Sequence, residues 1–310
     1  MDPVVLVFPG QGSQRAGMAL DFRDTFAESR AVFEEASDAL SLDLAALCAG
    51  DERLGHTEYT QPAILVAEIA MLRALEAQLG LKGTHFGGHS LGEYSALVAA
   101  GALPLAEAAR LVRERGRRMQ EAVPLGEGAM AAVMRADLDA DALAAALDGL
   151  LVDLANLNAP DQIVISGRAA DVSAAVERIG QSPALAGARA KLLDVSAPFH
   201  SRLMAVIEPG FRALLEASST GWDASRADRV VSNFTGDFHR PETGAVVDAL
   251  TRQISGSVRW VDDMRALLAL RPARVLEIGP NRPLRGFFRS LDVDVDAIFN
   301  VVTAKRVLGG

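Results

Sequence analysis

With 310 residues, half of them hydrophobic, and a mean hydropathy of +0.18, the chain is long enough for a large core and two domains, and too apolar to stay disordered. Its net charge of −9 excludes general nucleic-acid binding, and no apolar run approaches the length of a membrane span. The single cysteine, Cys48, cannot form an internal disulfide and lies in an Ala/Leu-rich helical pattern, so it reads as a packing residue. Behind the acidic start Met1-Asp2-Pro3 the apolar run covers only residues 4–8, too short for a signal peptide, so a cytoplasmic protein is expected. No cysteine–histidine cluster has metal-ligand spacing, so no metal is expected.

Residues 4–8 are apolar without alternation, the pattern of a strand buried on both faces in a parallel sheet. The run ends in Pro9-Gly10-Gln11-Gly12-Ser13-Gln14. Residues 19–49 read as mostly helical. Thr60-Gln61-Pro62 predicts a helix start, with Thr60 as N-cap and Pro62 in the first turn, running through Leu79 to Gly80. A strand follows at 84–89, then two helices to about residue 123. Buried strands alternating with helices predict an α/β domain with a mainly parallel sheet.

Between 126 and 196 the order changes: strand 129–134, helix 136–147, strands 151–156 and 162–166, helix 169–179, strand 189–195. This β-α-β-β-α-β succession is that of the ferredoxin-like split unit, and about 70 residues suit it. The expected organisation is a small domain at 126–196 inserted into a larger one formed by 1–125 and 197–310. Later strands of the large domain are expected near 229–232, 274–278 and 297–301, and the tail after Thr303 reads as frayed.

The most informative stretch is Gly87-Gly88-His89-Ser90-Leu91-Gly92. It contains G-x-S-x-G between a strand and a helix, the setting of a nucleophile elbow, although a plain strand-to-helix turn fits the same letters. A serine nucleophile needs a base. Of five histidines, His89 shares the elbow strand and should point away from Ser90. His85 reads as structural, and His56 and His239 lie in polar loops and read as solvated. His200 stands where the chain leaves the small domain, where a two-domain cleft should lie, and is either the base or a satisfied structural histidine. The loop after the first strand is not a dinucleotide loop, because Arg15 stands where a third glycine is required. A backbone N–H near Gln11 can instead complete an oxyanion hole with that of Leu91. Residues 110–118 hold five arginines and one acid. Most read as a solvated face, but Leu111, Arg115 and Met119 share one helix face, and an inward arginine calls for an anion such as a carboxylate.

These residues together resemble the malonyl-CoA:acyl-carrier-protein transacylase family. The resemblance rests on Phe8-Pro-Gly-Gln-Gly-Ser-Gln14, Tyr59-Thr-Gln-Pro62, Gly87-Gly-His-Ser-Leu-Gly-Glu93 and Arg115-Gly116, then on Asn156-x-Asn158-x-Pro160, Ala197-Pro-Phe-His200 and Glu277-Ile-Gly-Pro280. It implies a hydrolase-like α/β core with a ferredoxin-like subdomain. It implies Ser90 as nucleophile, His200 as base, Arg115 as ligand of the malonyl carboxylate, and the backbone N–H groups of Gln11 and Leu91 as the oxyanion hole. The backbone carbonyl of Gln253, seven residues before Trp260, would orient His200; Asp194 is too close in sequence to His200 to be preferred. Phe199 would favour malonyl over methylmalonyl. Asn158 and Met119 would touch substrate; Met119 and Met130 fit either the pocket lining or ordinary core.

No permanently bound cofactor is implied; the CoA thioester and phosphopantetheine enter as substrates. The implied partner is an acyl carrier protein, docking on an arginine-rich patch. The candidate stretches are 110–118 and 271–290, the latter with Arg271, Arg274, Arg282, Arg285 and Arg289 against Glu277. Rival readings are a serine esterase or thioesterase, a polyketide acyltransferase, and a silent carrier-binding module.

Overall fold

The computed structural model describes residues 3–195 and 197–309. The start Met1-Asp2, the domain boundary at Ser196 and the last residue of the tail lie outside the described residues. In chain order the first half comprises β1 (Val4–Phe8), α1 (Leu20–Thr25), α2 (Ala27–Leu40), α3 (Leu44–Gly50), α4 (Thr57–Leu79), β2 (His85–Gly88), α5 (Gly92–Ala100) and α6 (Leu105–Glu121). Then come β3 (Gly128–Met134), α7 (Ala140–Ala146), β4 (Val152–Ala159), β5 (Gln162–Arg168), α8 (Ala169–Gln181) and β6 (Arg189–Leu192). The chain closes with α9 (Glu208–Ser218), β7 (Val231–Ser232), β8 (Asp237–Phe238), α10 (Thr243–Arg252), α11 (Trp260–Ala269), β9 (Arg274–Ile278), α12 (Leu284–Arg289), β10 (Asp296–Ile298) and α13 (Val301–Leu308).

A parallel sheet in the order β10-β9-β1-β2 forms the centre. The unbroken apolar run of β1 is explained by its two faces. Leu6 and Phe8 enter one core, shared with α2, α4, α5 and α6, while Val5 and Val7 enter a second, with Trp260 and Met264 of α11 and Phe288 of α12. Each such side chain contributes about 1.5–3 kcal/mol when fully buried. Helix α4 is buried almost all round, from Gln61 through Leu72, as befits a helix enclosed by α2 and α6 rather than lying on a surface.

The second sheet is antiparallel, in the order β4-β5-β3-β6. Alternation along β3 divides its side chains. Ala131 and Val133 pack under α7 and α8, while Met130 and Ala132 turn the other way, towards Leu193, Val195 and Phe199. Strand β4 is tied to the rest of the molecule through Val258, which donates to Ala155 O and accepts from Leu157 N–H, both at 2.8 Å. The α/β architecture with a parallel sheet is as expected.

Several local expectations are corrected. Helix α4 begins at Thr57, not after Thr60, whose hydroxyl donates backwards to Leu54 O and His56 O; Pro62 lies inside the helix. His56 is extended (φ −94°, ψ 129°) between the preceding 3₁₀ turn and the helix, which makes Thr57 the first helical residue, and Pro62 forfeits only the bond to the Glu58 carbonyl. Helix α7 starts at Ala140 rather than 136, because the Asp139 carboxylate caps the N–H groups of Asp141 and Ala142. Strand β6 stops at Leu192, where the chain turns towards Phe199. The strand expected at 229–232 is only Val231–Ser232, joined to β8 in a hairpin. The strand expected at 297–301 ends at Ile298. The tail is helical rather than frayed: Asn300 and Thr303 form a capping box, and Asp21 accepts the Val301 N–H at 2.7 Å.

The turn from β2 into α5 is closed by contacts that only glycine allows. A Cβ on Gly92 would lie 2.1 Å from the Phe8 carbonyl oxygen, and one on Gly88 would lie 1.9 Å from the Gly92 oxygen. Gly92→Ala is therefore expected to cost about 2–3 kcal/mol by overpacking against backbone that cannot rotate away. Urea denaturation checks this; a variant with the parent midpoint would mean that the elbow has room to spare.

Candidate active site

Ser90 sits at the tip of the elbow with φ +53°, in the left-handed region, and His200 has φ +56°. Two non-glycine residues held there cost about 1–3 kcal/mol each and persist only when their surroundings fix them. For Ser90 the fixing group is Asn233. Its Oδ1 accepts the Ser90 N–H at 2.6 Å, and its Nδ2 donates to Gly88 O and Asp263 Oδ2, both at 2.8 Å. Burial, followed by the nearby Glu93 charge, pushes the Asp263 carboxyl well above the usual range.

The Ser90 Oγ lies 2.7 Å from His200 Nε2, and His200 Nδ1 lies 2.8 Å from the backbone oxygen of Gln253. A carbonyl only accepts, so Nδ1 carries the proton and Nε2 is left to accept from the serine hydroxyl. Burial first, and the Arg115 charge second, hold His200 neutral, with its pKa lowered to about 3. The arrangement can take a proton from Ser90 and return it, which is general base–acid catalysis of acyl transfer.

Arg115 is 1 % exposed. Its Nη1 donates to Gln61 Oε1 at 2.9 Å, and its Nη2 donates to Gln253 Oε1 at 2.9 Å and to Ser90 Oγ at 3.0 Å. The guanidinium stands 5.7 Å from the centre of the Tyr94 ring, and its Nε has no partner. Among the described residues no carboxylate comes within ion-pair distance of it, and burial pulls its pKa down. A buried cation whose contacts are all neutral acceptors leaves a place for an anion in contact with it.

Ser90, His200, Arg115, Gln11, Leu91 and Phe199 all line one cavity of about 190 Å³, together with Met119 and Met130. The backbone N–H groups of Gln11 and Leu91 donate to no acceptor among the described residues, so both are free for an oxyanion. Gln253 does not face the cavity but touches three of its residues.

Other expectations fare differently. Asn158 does not line the cavity: its Oδ1 accepts from His89 Nε2 at 2.8 Å, and its Nδ2 donates to Gln162 Oε1 at 2.9 Å. Asn156 lines it instead, because β4 is irregular between Leu157 and Ala159 and the alternation breaks there. His89 is turned from the serine oxygen as expected, packed edge-on to Trp260. His85 packs on Phe238, and His56 is exposed. His239, expected to be solvated, is buried, with Nε2 2.8 Å from Glu93 Oε1. The β7–β8 hairpin, packed against β2 and α11, carries it onto the carboxylate at the start of α5. Cys48 is buried and its thiol is pushed up to about 12, which leaves it inert.

Residues 110–118 do not form the free cationic face expected of a docking patch. Arg110 pairs with Glu107, Arg113 with Glu58, Arg117 with Glu114 and Glu121, and Arg118 with Glu114, since helical spacing places the acids beside the arginines. In 271–290, Arg274 pairs with Asp296 and Arg282 lies over Phe299, whereas Arg271, Arg285 and Arg289 make no ion pair among the described residues. Also among the described residues, no group of three or more His, Cys, Asp and Glu is placed to hold a metal, and no helix is long and apolar enough to cross a membrane.

Sequence reasoning missed Gln61, Glu93, Asn233 and the side chain of Gln253. Gln61 and Glu93 stood inside quoted motifs, but nothing in their spacing says what they touch. Asn233 follows a short apolar run and carries no signal of its own.

Residues 5–281 match the model of the acyl transferase domain. The chain is 40% identical over 300 residues to the malonyl CoA-acyl carrier protein transacylase of Bacillus subtilis, covering 94% of this chain and 91% of that one. It is 40% identical over 298 residues to the protein of the same name from Escherichia coli K12, covering 94% and 93%. Among solved structures, the malonyl-CoA:acyl carrier protein transacylase of Xanthomonas oryzae superposes with TM-score 0.91 at 38% identity, covering 100% of this chain and 98% of that one. A type II PKS acyl-carrier protein in complex with its malonyl-transacylase matches with TM-score 0.89 at 35% identity, covering 99% of both chains. The chain is an acyltransferase and belongs to the malonyl CoA-acyl carrier protein transacylase family of acyl transferase domains.

Proposed function

We propose that this enzyme moves a malonyl group from malonyl-CoA to the phosphopantetheine thiol of an acyl carrier protein, through a malonyl-Ser90 intermediate, in cytoplasmic fatty acid biosynthesis. The observation that carries the reading is Arg115: a buried guanidinium without a carboxylate, 3.0 Å from the Ser90 oxygen. That distance suits an acyl group with its carboxylate on Arg115 and its thioester carbonyl at Ser90. As Oγ attacks the carbonyl carbon, His200 Nε2 takes the serine proton. The N–H groups of Gln11 and Leu91 hold the oxyanion, and the C–S bond breaks. The imidazolium returns the proton to the departing CoA sulfur. The carrier thiol then enters, gives its proton to His200 and attacks the ester, and Ser90 leaves with that proton. No bound cofactor takes part.

Phe199, half-buried on the cavity wall, crowds the α-carbon and disfavours methylmalonyl. Met119 also lines the cavity. Residues 126–196 form a ferredoxin-like subdomain inserted into a hydrolase-like domain of 1–125 and 197–310, a division supported by the β4-β5-β3-β6 order. The carrier docks on the unpaired arginines of 271–290. A polyketide carrier is the second reading, favoured by the likeness to a transacylase solved with a type II PKS carrier protein.

Incubation with malonyl-CoA followed by peptide mapping tests the intermediate: the malonyl mass is expected on the Ser90 peptide, and label on any other peptide would remove it. A further test uses pH. Because His200 is neutral down to about 3 in the free enzyme, kcat/KM should stay level from pH 8 down to about pH 5 rather than fall through 6.5. An acid limb centred near 6.5 would show that the base is protonated far more easily than its surroundings imply.

A further inference from the structure

Glu93 follows the elbow motif, lies in the first turn of α5 and is 0% exposed. Its Oε2 accepts from Gln253 Nε2 at 2.7 Å and from the Asn233 N–H at 3.1 Å, and its Oε1 faces His239 Nε2 at 2.8 Å. The reaction described above leaves it unused. We propose that Glu93 is a positioning residue for substrate selection: through the Gln253 carboxamide it holds Arg115 in place for a carboxylate without pairing with it. The inference rests on Arg115 being the ligand of the malonyl carboxylate.

A carboxamide has one accepting end and one donating end, and its neighbours decide which way it faces. On one side of Gln253 stand three acceptors: the Glu93 carboxylate, the Ser90 carbonyl, which receives Nε2 at 2.9 Å, and, at 3.4 Å, Asn233 Oδ1. On the other side stands Arg115, which only donates and reaches Oε1 at 2.9 Å. Turned over, the amide would set N–H against N–H at the guanidinium and oxygen against the oxygens at the elbow. Glu93 is the carboxylate of the set and takes the shortest of these bonds, 2.7 Å, so it contributes most to the observed orientation. With Oε1 fixed, Nη2 is held by Gln253 and Nη1 by Gln61, and the guanidinium plane is set.

The second consequence is electrostatic. A buried guanidinium needs a negative charge nearby, but a carboxylate in contact would occupy the face that malonate must use. Glu93 supplies the charge one carboxamide away. The Gln253 amide acts as a spacer, polarised between cation and anion, so Arg115 is offset yet open. The same residue's backbone oxygen orients His200, which places anion reading and base orientation on a single residue.

The test is steady-state transfer to carrier protein from malonyl-CoA and acetyl-CoA with Glu93→Gln. Glutamine at 93 can donate, so the 253 amide is free to turn and the counter-charge is gone. The expected result is a fall of about 10- to 100-fold in kcat/KM for malonyl-CoA, carried mainly by KM, and a drop of at least about tenfold in the malonyl-to-acetyl preference. If that variant does not fold, Gln253→Met decides. It keeps the backbone carbonyl for His200 and deletes only the carboxamide, and it should lower the preference by a similar factor while the pH profile of kcat/KM keeps its shape. Equal losses on both thioesters, or a loss in kcat at unchanged KM, would overturn the proposal. A parent enzyme that shows no preference for malonyl over acetyl would instead overturn the role of Arg115.

Discussion

His200→Ala is expected to lower kcat/KM for malonyl transfer by about 10⁴-fold or more, and Ser90→Ala by at least as much, with no malonyl adduct on the 90 peptide. The two groups act as one unit across 2.7 Å. The double variant should therefore be no slower than the worse single one, within about threefold. Additive losses in the double variant would mean that serine and histidine serve separate steps. The size of the effect follows from what remains. Without His200 the Ser90 hydroxyl keeps its proton, and Arg115, which donates to the same oxygen at 3.0 Å, cannot accept one. No side chain can substitute, because the partner of Nδ1 is the Gln253 carbonyl rather than an acid.

That uncharged partner also makes the base responsive to substrate. The second cause of the low His200 pKa is the Arg115 charge. On the proposed reading, a malonyl carboxylate held by Arg115 would cancel that charge, so that binding the acyl group would strengthen the base at Ser90. Acetyl brings no carboxylate and would leave the base weak. Selection by this route would act on the chemical step as well as on binding.

Much of this was readable from residues whose signal is local. The uninterrupted apolar run of β1 gave a strand covered on both faces. The glycines around Ser90 gave the elbow, because close backbone approach admits nothing larger. Arg115 was found by its place four residues from both Leu111 and Met119. The parts that escaped are set by contacts across long stretches of chain. Asn233 reaches Ser90 across 143 residues and His239 reaches Glu93 across 146, and nothing in either neighbourhood foretells the other. Asn158 was misplaced because a bulge in β4 shifts the alternation by one residue, which no pattern of residue types announces. The arginines of α6 looked free because the count of one acid among 110–118 left out Glu107 and Glu121, which lie just outside it, and Glu58 on another helix.

Arg115→Ala should reduce kcat/KM for malonyl-CoA by about 10²–10³-fold, the cost of losing a charge-assisted fork to a carboxylate in a buried site. Acetyl transfer should fall by no more than about tenfold, through the lost contact to Ser90 Oγ. Arg115→Lys separates charge from shape: the ammonium retains the charge but cannot reach Gln61, Gln253 and a carboxylate at once, so malonyl transfer should recover only in part. Folding is not the obstacle to this experiment. The parent arginine is buried with an unpartnered Nε and no counter-ion in contact, so its removal relieves a desolvated charge while leaving a cavity, and thermal denaturation should reveal a modest change of either sign. Parallel loss of malonyl and acetyl transfer would place Arg115 in the general machinery of Ser90 rather than at the carboxylate. A wide gap between the two would fix the distal end of the substrate on this guanidinium, and with it the direction in which the acyl chain lies across the oxyanion site.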